Sequence, residues 1–308
     1  MTRERIYGHT LIIAVNVIFG INTPVSKWLL SERLSPDQHT ILRMASACAL
    51  FWAASLFAGR EKVPGRDIWK LLLCGLCGTA INQYLFIRGL SSTSPVDASV
   101  ITTSTPVFVM VFAALILGEP ITWLKTAGVF TGAAGAVWLV VSAGGGAQAG
   151  QGGAAGNMMA LASAFMYSIY FVISKPLAEK YSAVTMMKWM FLFSFLALLP
   201  LTWRGLAAPM KGPLDLEAAA AMAYVFIMAT FAAYLLIPMA IRRIRPTTAS
   251  MYNYLQPVVS TAIAVAAMRD SVSPQKIAAA LMIFAGVYMV TKSKARRDML
   301  PASNPESK

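Results

Sequence analysis

The chain has 308 residues, of which 57% carry hydrophobic side chains and only 13% are charged, and its mean hydropathy is +0.62. Because soluble domains carry about a quarter charged residues, this composition excludes a water-soluble fold and predicts that the bilayer solvates most of the chain. The net charge of +13 would suit a nucleic-acid-binding protein, but the basic residues are placed as in a membrane protein, so no nucleic-acid partner is expected.

Apolar segments of about 20 residues, the helix length that crosses about 30 Å of hydrocarbon, follow one another along the chain. We predict ten transmembrane helices, near residues 8–30, 38–58, 67–90, 95–117, 121–142, 156–176, 182–203, 216–241, 246–268 and 274–291. The connections between them are short, which leaves little room for a soluble domain.

The lysine and arginine residues predict the orientation of these helices. If the amino terminus is cytoplasmic, 17 of them fall on the cytoplasmic side and 7 on the other. Cytoplasmic loops of membrane proteins carry the excess of basic residues. The sequence therefore predicts a multi-pass protein of the inner (plasma) membrane with both termini in the cytoplasm.

The chain contains an internal repeat. A shift of 151 residues lays Pro95–Leu139 on Pro246–Val290 without a gap and matches Pro106 with Pro257. A shift of 148 residues lays the first span on the sixth and matches Ser26-Lys27 with Ser174-Lys175. Apolar composition alone rarely produces shared prolines and Ser-Lys pairs at a nearly constant offset.

The repeat divides the chain into units. We predict a first five-helix repeat at 1–143, a Gly/Ala-rich linker at 144–155, a second five-helix repeat at 156–293 and a cytoplasmic tail at 294–308. Because five is odd, the second repeat enters the membrane in the opposite sense. The predicted fold class is an all-α polytopic membrane protein built from two inverted-topology repeats, an arrangement found in transporters.

These features resemble a known family. Two five-helix repeats, a proline in the fourth and ninth spans, and the Leu117-Gly118-Glu119-Pro120 that follows the fourth are similar to the EamA-type branch of the drug/metabolite transporter superfamily. The resemblance implies that spans 1–4 and 6–9 surround a central cavity and that spans 5 and 10 are peripheral. Within the family, it points to bacterial exporters of aromatic and other amino acids.

Polar residues recur in the middle of the fourth and ninth spans. They are Ser99, Thr102 and Thr105 in the fourth, and Ser250, Asn253 and Gln256 in the ninth. A spacing of three places each trio on one helix face, and polar groups in hydrocarbon are costly unless they face a cavity or a partner. One alternative is that the hydroxyl groups repair the backbone that the following proline leaves unpaired.

Amide and phenol groups in other spans extend this pattern, and together they predict a site for a zwitterionic or amide-like solute with an apolar body. The candidate substrate-binding residues are Asn82, Tyr84, Ser99, Thr102, Tyr167, Tyr170, Tyr234, Tyr252, Asn253 and Gln256. The alternative is that these groups form hydrogen bonds that hold the helices together.

Prolines inside spans weaken the helix and allow it to bend. The candidate gating or hinge residues are Pro24, Pro106, Pro238 and Pro257.

Charged residues lie mostly outside the spans. All thirteen carboxylates are in loops, tails or near span ends, as are His9 and His39, so the sequence offers no evident buried proton carrier and favours facilitated transport over proton exchange. Four basic residues, Lys27, Arg43, Lys175 and Lys188, are expected to extend to the membrane surface, and a role in binding a substrate carboxylate is the alternative.

The sequence thus predicts a transporter that moves amino acids or similar small metabolites outward by alternating access, without cofactor or metal. Its partners would be a small-molecule substrate and the lipid bilayer. A monomer is expected, although Gly128 and Gly132 form a small-residue face that could support a dimer. The rival hypotheses are a multidrug or other metabolite carrier, with or without proton coupling, and a membrane-embedded scaffold. An enzyme is not expected, because no nucleophile–base pair or metal cluster lies within the spans.

Overall fold

The computed structural model describes residues 3–93, 101–142, 153–266 and 273–293, and the side chains of 264–266 are not described. Over these ranges the chain forms ten helical segments, and each coincides with a predicted span. They are α1 (Arg3–Glu32), α2 (Pro36–Phe57), α3 (Gly65–Ser92), α4 (Thr105–Leu117), α5 (Trp123–Ser142), α6 (Ala154–Lys180), α7 (Ala183–Ala207), α8 (Leu216–Arg243), α9 (246–266) and α10 (Pro274–Lys292).

Eight of these helices in the described part of the chain are long and apolar enough to cross a membrane, and α4 is a shorter apolar helix. The prediction of an all-α polytopic membrane protein is confirmed. The predicted linker and the predicted tail lie largely outside the described residues.

Capping residues fix where several helices begin. Ser35 forms a capping box with Gln38 before α2, and Ser182, Asp215 and Ser273 each accept a backbone N–H in the first turn of α7, α8 and α10. These contacts satisfy amide groups that have no partner within the helix.

The start of α7 is also bound by an acidic residue of the loop that joins α2 to α3. Ser182 donates its backbone N–H and its hydroxyl to Glu61, at 3.1 and 3.0 Å from Oε2. Although partial burial opposes it, hydrogen bonds from Thr185 and Ser182 hold the pKa of Glu61 below its usual value.

Both α3 and α8 contain a widened, π-helical turn. The turns span Leu76–Ile81 in α3 and Tyr224–Ala232 in α8. Each contains a buried threonine, Thr79 or Thr230, whose hydroxyl donates to a carbonyl of the preceding turn at 2.7 Å. These threonines are 151 residues apart, the offset of the sequence repeat. Such turns occur frequently at functional sites.

The fourth and ninth spans are interrupted at corresponding places. A turn at Thr103 and Ser104 precedes α4, and a 3₁₀ turn at Tyr252–Tyr254 divides α9. Pro106 and Pro257 lie just after these interruptions. The other two predicted hinge residues, Pro24 and Pro238, lie inside continuous helix in α1 and α8.

The pattern of extensive helix contacts is the same when the two halves of the chain are interchanged. The extensive contacts are α2 with α7, α5 with α10, α3 with α6, α8 with α1, α3 with α7, α8 with α2, α4 with α6, and α9 with α1. Each helix of the first half has a counterpart five places later, so that α1 corresponds to α6 and α2 to α7. When every helix is replaced by its counterpart, the same set of packed pairs results. The two halves are therefore intertwined, and each supplies one side of most helix interfaces.

Glycines permit the closest of these approaches. A Cβ atom on Gly286 of α10 would lie 2.6 Å from the carbonyl oxygen of Gly128 in α5, and a Cβ atom on Gly128 would lie 2.8 Å from the carbonyl oxygen of Gly286. The small-residue face of α5 is thus occupied by α10 of the same chain.

Candidate functional site

A cavity of about 90 Å³ lies among α1, α2, α3, α6, α8, α9 and the start of the fourth span. Because one water needs roughly 10–15 Å³ by this measure, the cavity has room for several waters or for a small solute. Its amide groups come from Asn22, Asn82, Gln83, Asn253 and Gln256. Its aromatic rings come from Phe19, Phe86, Tyr167 and Tyr234, and Arg43 adds a cation.

One side of the cavity is held by hydrogen bonds between α3 and its neighbours. The amide nitrogen of Asn82 donates to the hydroxyl and the carbonyl oxygen of Ser163 in α6, at 2.9 and 3.1 Å. Gln83 donates through Nε2 to the hydroxyl of Tyr234 in α8, at 2.6 Å. These bonds link helices of both halves, because α3 belongs to the first and α6 and α8 to the second.

The opposite side joins α9 to α1. Gln256 donates to Oδ1 of Asn16 at 2.9 Å, and Asn16 is itself fully buried and donates to the carbonyl of Ile12 at 2.8 Å. The interruption of α9 directs both Asn253 and Gln256 to the cavity. Two of the three ninth-span residues that the sequence placed on one face therefore line the cavity, whereas the third, Ser250, is buried and donates to the carbonyl of Thr247 in its own helix.

Several polar groups of the cavity remain available to a ligand. Oε1 of Gln83 is buried without a hydrogen-bond partner, and within the described ranges the side chain of Asn253 forms no hydrogen bond. A polar group that is buried without a hydrogen-bond partner destabilises the protein by about 1–3 kcal/mol, because it has given up its hydrogen bonds to water. A solute that bonds to these groups would recover part of that loss.

Arg43 is the charged residue of this cavity. Its side chain is 1% exposed and does not extend to the membrane surface, so the expectation from the sequence is wrong for this residue. Nε donates to the hydroxyl of Thr230 at 2.9 Å and Nη2 reaches the carbonyl of Ala229 at 3.4 Å, both in the π-helical turn of α8. That turn presents the hydroxyl and carbonyl that draw the guanidinium inward.

The three lysines that were considered together with Arg43 in the sequence lie outside the cavity. Nζ of Lys27 donates to the carbonyl of Leu90 at 2.7 Å, and Nζ of Lys175 donates to the carbonyl of Ile241 at 2.7 Å. These contacts satisfy carbonyl groups at the carboxyl ends of α3 and α8. Lys188 lies over the ring of Trp52, 5.4 Å from its centroid. None of the three lines the cavity.

Buried titratable groups are present, contrary to the expectation from the sequence. His39 lies in the first turn of α2, but its side chain is 0% exposed and neither ring nitrogen has a partner among the described residues. The Glu119 side chain is 10% exposed, pairs with Lys125 at 3.0 Å and accepts a hydrogen bond from Thr247 at 2.7 Å. Both residues lie near the end of a span, but neighbouring helices cover these ends, so their side chains are largely buried.

The structure brings six of the ten candidate binding residues to the cavity. They are Asn82, Thr102, Tyr167, Tyr234, Asn253 and Gln256. Ser99 lies outside the described residues. Gln83, Asn22, Ser163 and Arg43 also line the cavity and were not among the candidates.

The remaining three candidates lie away from the cavity. Cζ of Arg88 lies over the ring of Tyr84, 4.9 Å from the ring centroid. The ring of Tyr170 fills the space beside Gly78. The hydroxyl of Tyr252 lies 2.8 Å from Nδ1 of His9. Each helical residue points about 100° away from its neighbour in the sequence, so adjacency to Gln83 and Asn253 does not by itself bring Tyr84 and Tyr252 to the cavity.

An all-helical membrane protein with a polar cavity between its two halves has an architecture that is typical of transporters. The sequence model of the EamA-like transporter family matches this chain twice, at residues 6–141 and 154–292. The chain belongs to the EamA-like transporter family, and its members are transporters, not enzymes.

Relatives agree with this assignment. A probable terminal-alkyne amino-acid exporter of Streptantibioticus cattleyicolor is 26% identical over 254 residues, which cover 82% of each chain. An uncharacterized transporter of Archaeoglobus fulgidus is 24% identical over 92% of this chain and 99% of its own length. A solved crystal structure with 22% sequence identity superimposes with a TM-score of 0.73, over 94% of this chain and 96% of that one, which shows the common fold.

Proposed function

We propose that this transporter moves amino acids, with aromatic and other neutral ones favoured, and related small metabolites outward across the bacterial inner membrane. The observation that carries the proposal is the cavity, which combines amide groups, aromatic rings and one cation between helices of both halves. A zwitterion with an apolar body offers a charge to Arg43, polar atoms to the amides and a surface to the rings.

The exporter direction and the amino acid cargo draw on the relatives. The name of the Streptantibioticus cattleyicolor protein describes an amino-acid exporter. The resemblance of this sequence to the bacterial exporter YddG points to the same class of cargo. Both termini are proposed to be cytoplasmic, because that orientation puts most basic residues on the cytoplasmic side.

We further infer that the halves are inverted repeats and that transport proceeds by alternating access. Three observations support this inference: the exchanged helix pairs, the π-helical turns at equivalent places in α3 and α8, and the interruptions at equivalent places in the fourth and ninth spans. Pro106 and Pro257 follow the interruptions and are proposed as hinges. Rocking of one half against the other would then open the cavity to either side.

A second candidate function is a carrier of other metabolites or drugs that is coupled to protons. The observation in its favour is His39, whose ring lies buried one turn from Arg43 on α2. A buried histidine is a common proton carrier in membrane transporters.

The test is efflux of a panel of radiolabelled amino acids from proteoliposomes, with and without an imposed pH gradient. We expect aromatic and other neutral amino acids to leave at a rate that does not depend on the gradient. Release that requires the gradient would replace the facilitated mechanism by the proton-coupled one. If no amino acid is released above the level of protein-free liposomes, the proposed cargo is wrong.

Two variants make the test specific to the cavity. Asn253→Ala removes an amide that lines the cavity and forms no hydrogen bond with the described residues, and we expect about a fivefold rise in the concentration of cargo that gives half-maximal efflux, since one hydrogen bond is worth about 1 kcal/mol. Ser55→Ala is the control, because this exposed hydroxyl lies near the end of α2 and bonds only to Trp52 of the same helix among the described residues. Equal efflux by both variants would show that the cavity is not the binding site.

A further inference from the structure

We propose that Arg43 is the carboxylate-binding residue of the cavity, so that the cargo of this transporter carries a single carboxylate group. The inference rests on the proposed function for the location of the cargo, but it concerns one residue and one chemical group. It distinguishes carboxylate-bearing solutes from amines, amides and neutral drugs of similar size.

The charge of Arg43 is buried without a counter-ion. The guanidinium group is 1% exposed, it stays protonated in proteins, and none of the described acidic residues forms an ion pair with it. Its partners are the Thr230 hydroxyl and the Ala229 carbonyl, which are both neutral. A buried charge is costly unless an opposite charge pairs with it, and the carboxylate of a bound solute would supply that charge.

The geometry leaves one edge of the guanidinium open. Nε and Nη2 bond to the π-helical turn of α8, while Nη1 forms no hydrogen bond with the described residues and Arg43 lines the cavity. The turn thus orients the planar group and keeps donors directed towards the cavity. A guanidinium held in this way is suited to a carboxylate, because its donors match the two carboxylate oxygens.

The equivalent contact in the other half of the chain shows that packing α2 against the π-helical turn of α8 does not require a cation. Ser194 of α7 lies 151 residues after Arg43 and hydrogen-bonds to Thr79, which lies 151 residues before Thr230. The equivalent contact between α7 and the π-helical turn of α3 therefore uses two hydroxyl groups. Arg43 makes the corresponding contact in the first half and adds a charge that faces the cavity.

Other groups of the cavity complement a zwitterion. Oε1 of Gln83 is buried and has no partner in the part of the chain that the structure describes, so it can accept a hydrogen bond from an ammonium group. The rings of Phe19, Phe86 and Tyr167 supply an apolar surface. The site thus has an anchor for the carboxylate, an acceptor for the amine and a wall for the side chain.

The experiment compares solutes that differ only in the carboxylate. Purified protein in detergent is heated with increasing L-phenylalanine or L-phenylalaninamide, L-leucine or L-leucinamide, and 3-phenylpropionate or 3-phenylpropionamide, and the rise in unfolding temperature gives the affinity. We expect each acid to bind about 10–100-fold more tightly than its amide, the range for a hydrogen bond to a charged group. Equal binding of acids and amides, or no binding of any acid, would overturn the proposal.

The variants assign the preference to the residue. Arg43→Gln should abolish the preference for acids, Arg43→Lys should retain part of it, and Ser194→Ala, the control at the equivalent position, should leave it unchanged. A preference that persists in Arg43→Gln refutes the role of Arg43. If Arg43→Gln does not fold, Thr230→Val provides a second test: it leaves the charge but removes the hydroxyl that orients it, so the preference for acids should weaken, and an unchanged preference would refute the role of Arg43.

The two proposals fail in different ways. If 3-phenylpropionate binds through Arg43 but no amino acid is bound or transported, the carboxylate site stands and the amino acid cargo is wrong. If amino acids are transported while acids and amides bind equally, the proposed function stands and the role of Arg43 is wrong.

Discussion

The contact between α5 and α10 makes a quantitative prediction about stability. In Gly286→Ala, the new Cβ atom would lie 2.6 Å from the carbonyl oxygen of Gly128, 2.6 Å from the amide nitrogen of Gly132 and 2.8 Å from its Cα atom. All three are backbone atoms, so no side chain can rotate to make room and the helices must separate. Overpacking of this kind costs up to about 3 kcal/mol.

The greater helix propensity of alanine offsets about 1 kcal/mol of that cost, which leaves a net loss of about 2 kcal/mol. At about 2 °C per kcal/mol for a chain of this size, the unfolding temperature in detergent should fall by about 4 °C. Gly65→Ala is the control, because a Cβ atom there meets no atom within 4 Å. If Gly286→Ala unfolds at the wild-type temperature, the two helices are not packed as closely as described and the reasoning is refuted.

Further predictions concern the cavity, a helix end and a loop. Tyr234→Phe removes the shorter of the two hydrogen bonds that Nε2 of Gln83 donates and should reduce the affinity for cargo about tenfold. Tyr170→Phe removes a hydroxyl that has no partner among the described residues and should leave proteoliposome efflux unchanged. Lys175→Met should lower the unfolding free energy by about 1 kcal/mol in a denaturant titration, because the last carbonyls of α8 lose their donor. Since the pKa of Glu61 is lowered in the folded protein, its contribution is complete above the usual carboxyl pKa and is lost as the pH falls through the lowered value. The unfolding temperature of Glu61→Gln should therefore lie below that of the wild type at neutral pH and converge with it in acid; parallel curves would contradict this assignment.

The architecture was predictable because apolar length and polar exceptions are visible in the sequence. Each of the ten predicted spans coincides with a helical segment of the described residues, eight of them long and apolar enough to cross a membrane. Asn82, Asn253 and Gln256 were selected correctly as cavity-lining groups because an amide within an apolar helix needs a polar environment. Their role in binding cargo remains a prediction.

The errors have local physical causes. Tyr84 and Tyr252 were grouped with neighbours in the sequence, although adjacent helical residues point in different directions. Tyr170 was chosen for its phenol group, but the absence of a side chain at Gly78 lets its ring pack between helices. Arg43 was expected at the surface because long basic side chains usually extend there. Its true position depends on the widened turn of α8, which hydrophobic spacing does not reveal.

The widened turns also change how the faces of α3 and α8 are counted. A π-helical turn accommodates one residue more than a regular turn, so every residue beyond it is rotated by about 100° relative to an uninterrupted helix. In α3 the turn ends at Ile81, immediately before Asn82 and Gln83. A helical wheel drawn through the whole of α3 therefore assigns these two amides to the wrong direction. Deletion of a single residue from Leu76–Ile81 would preserve the length, hydropathy and helicity needed to cross a bilayer and yet turn both amides away from the cavity.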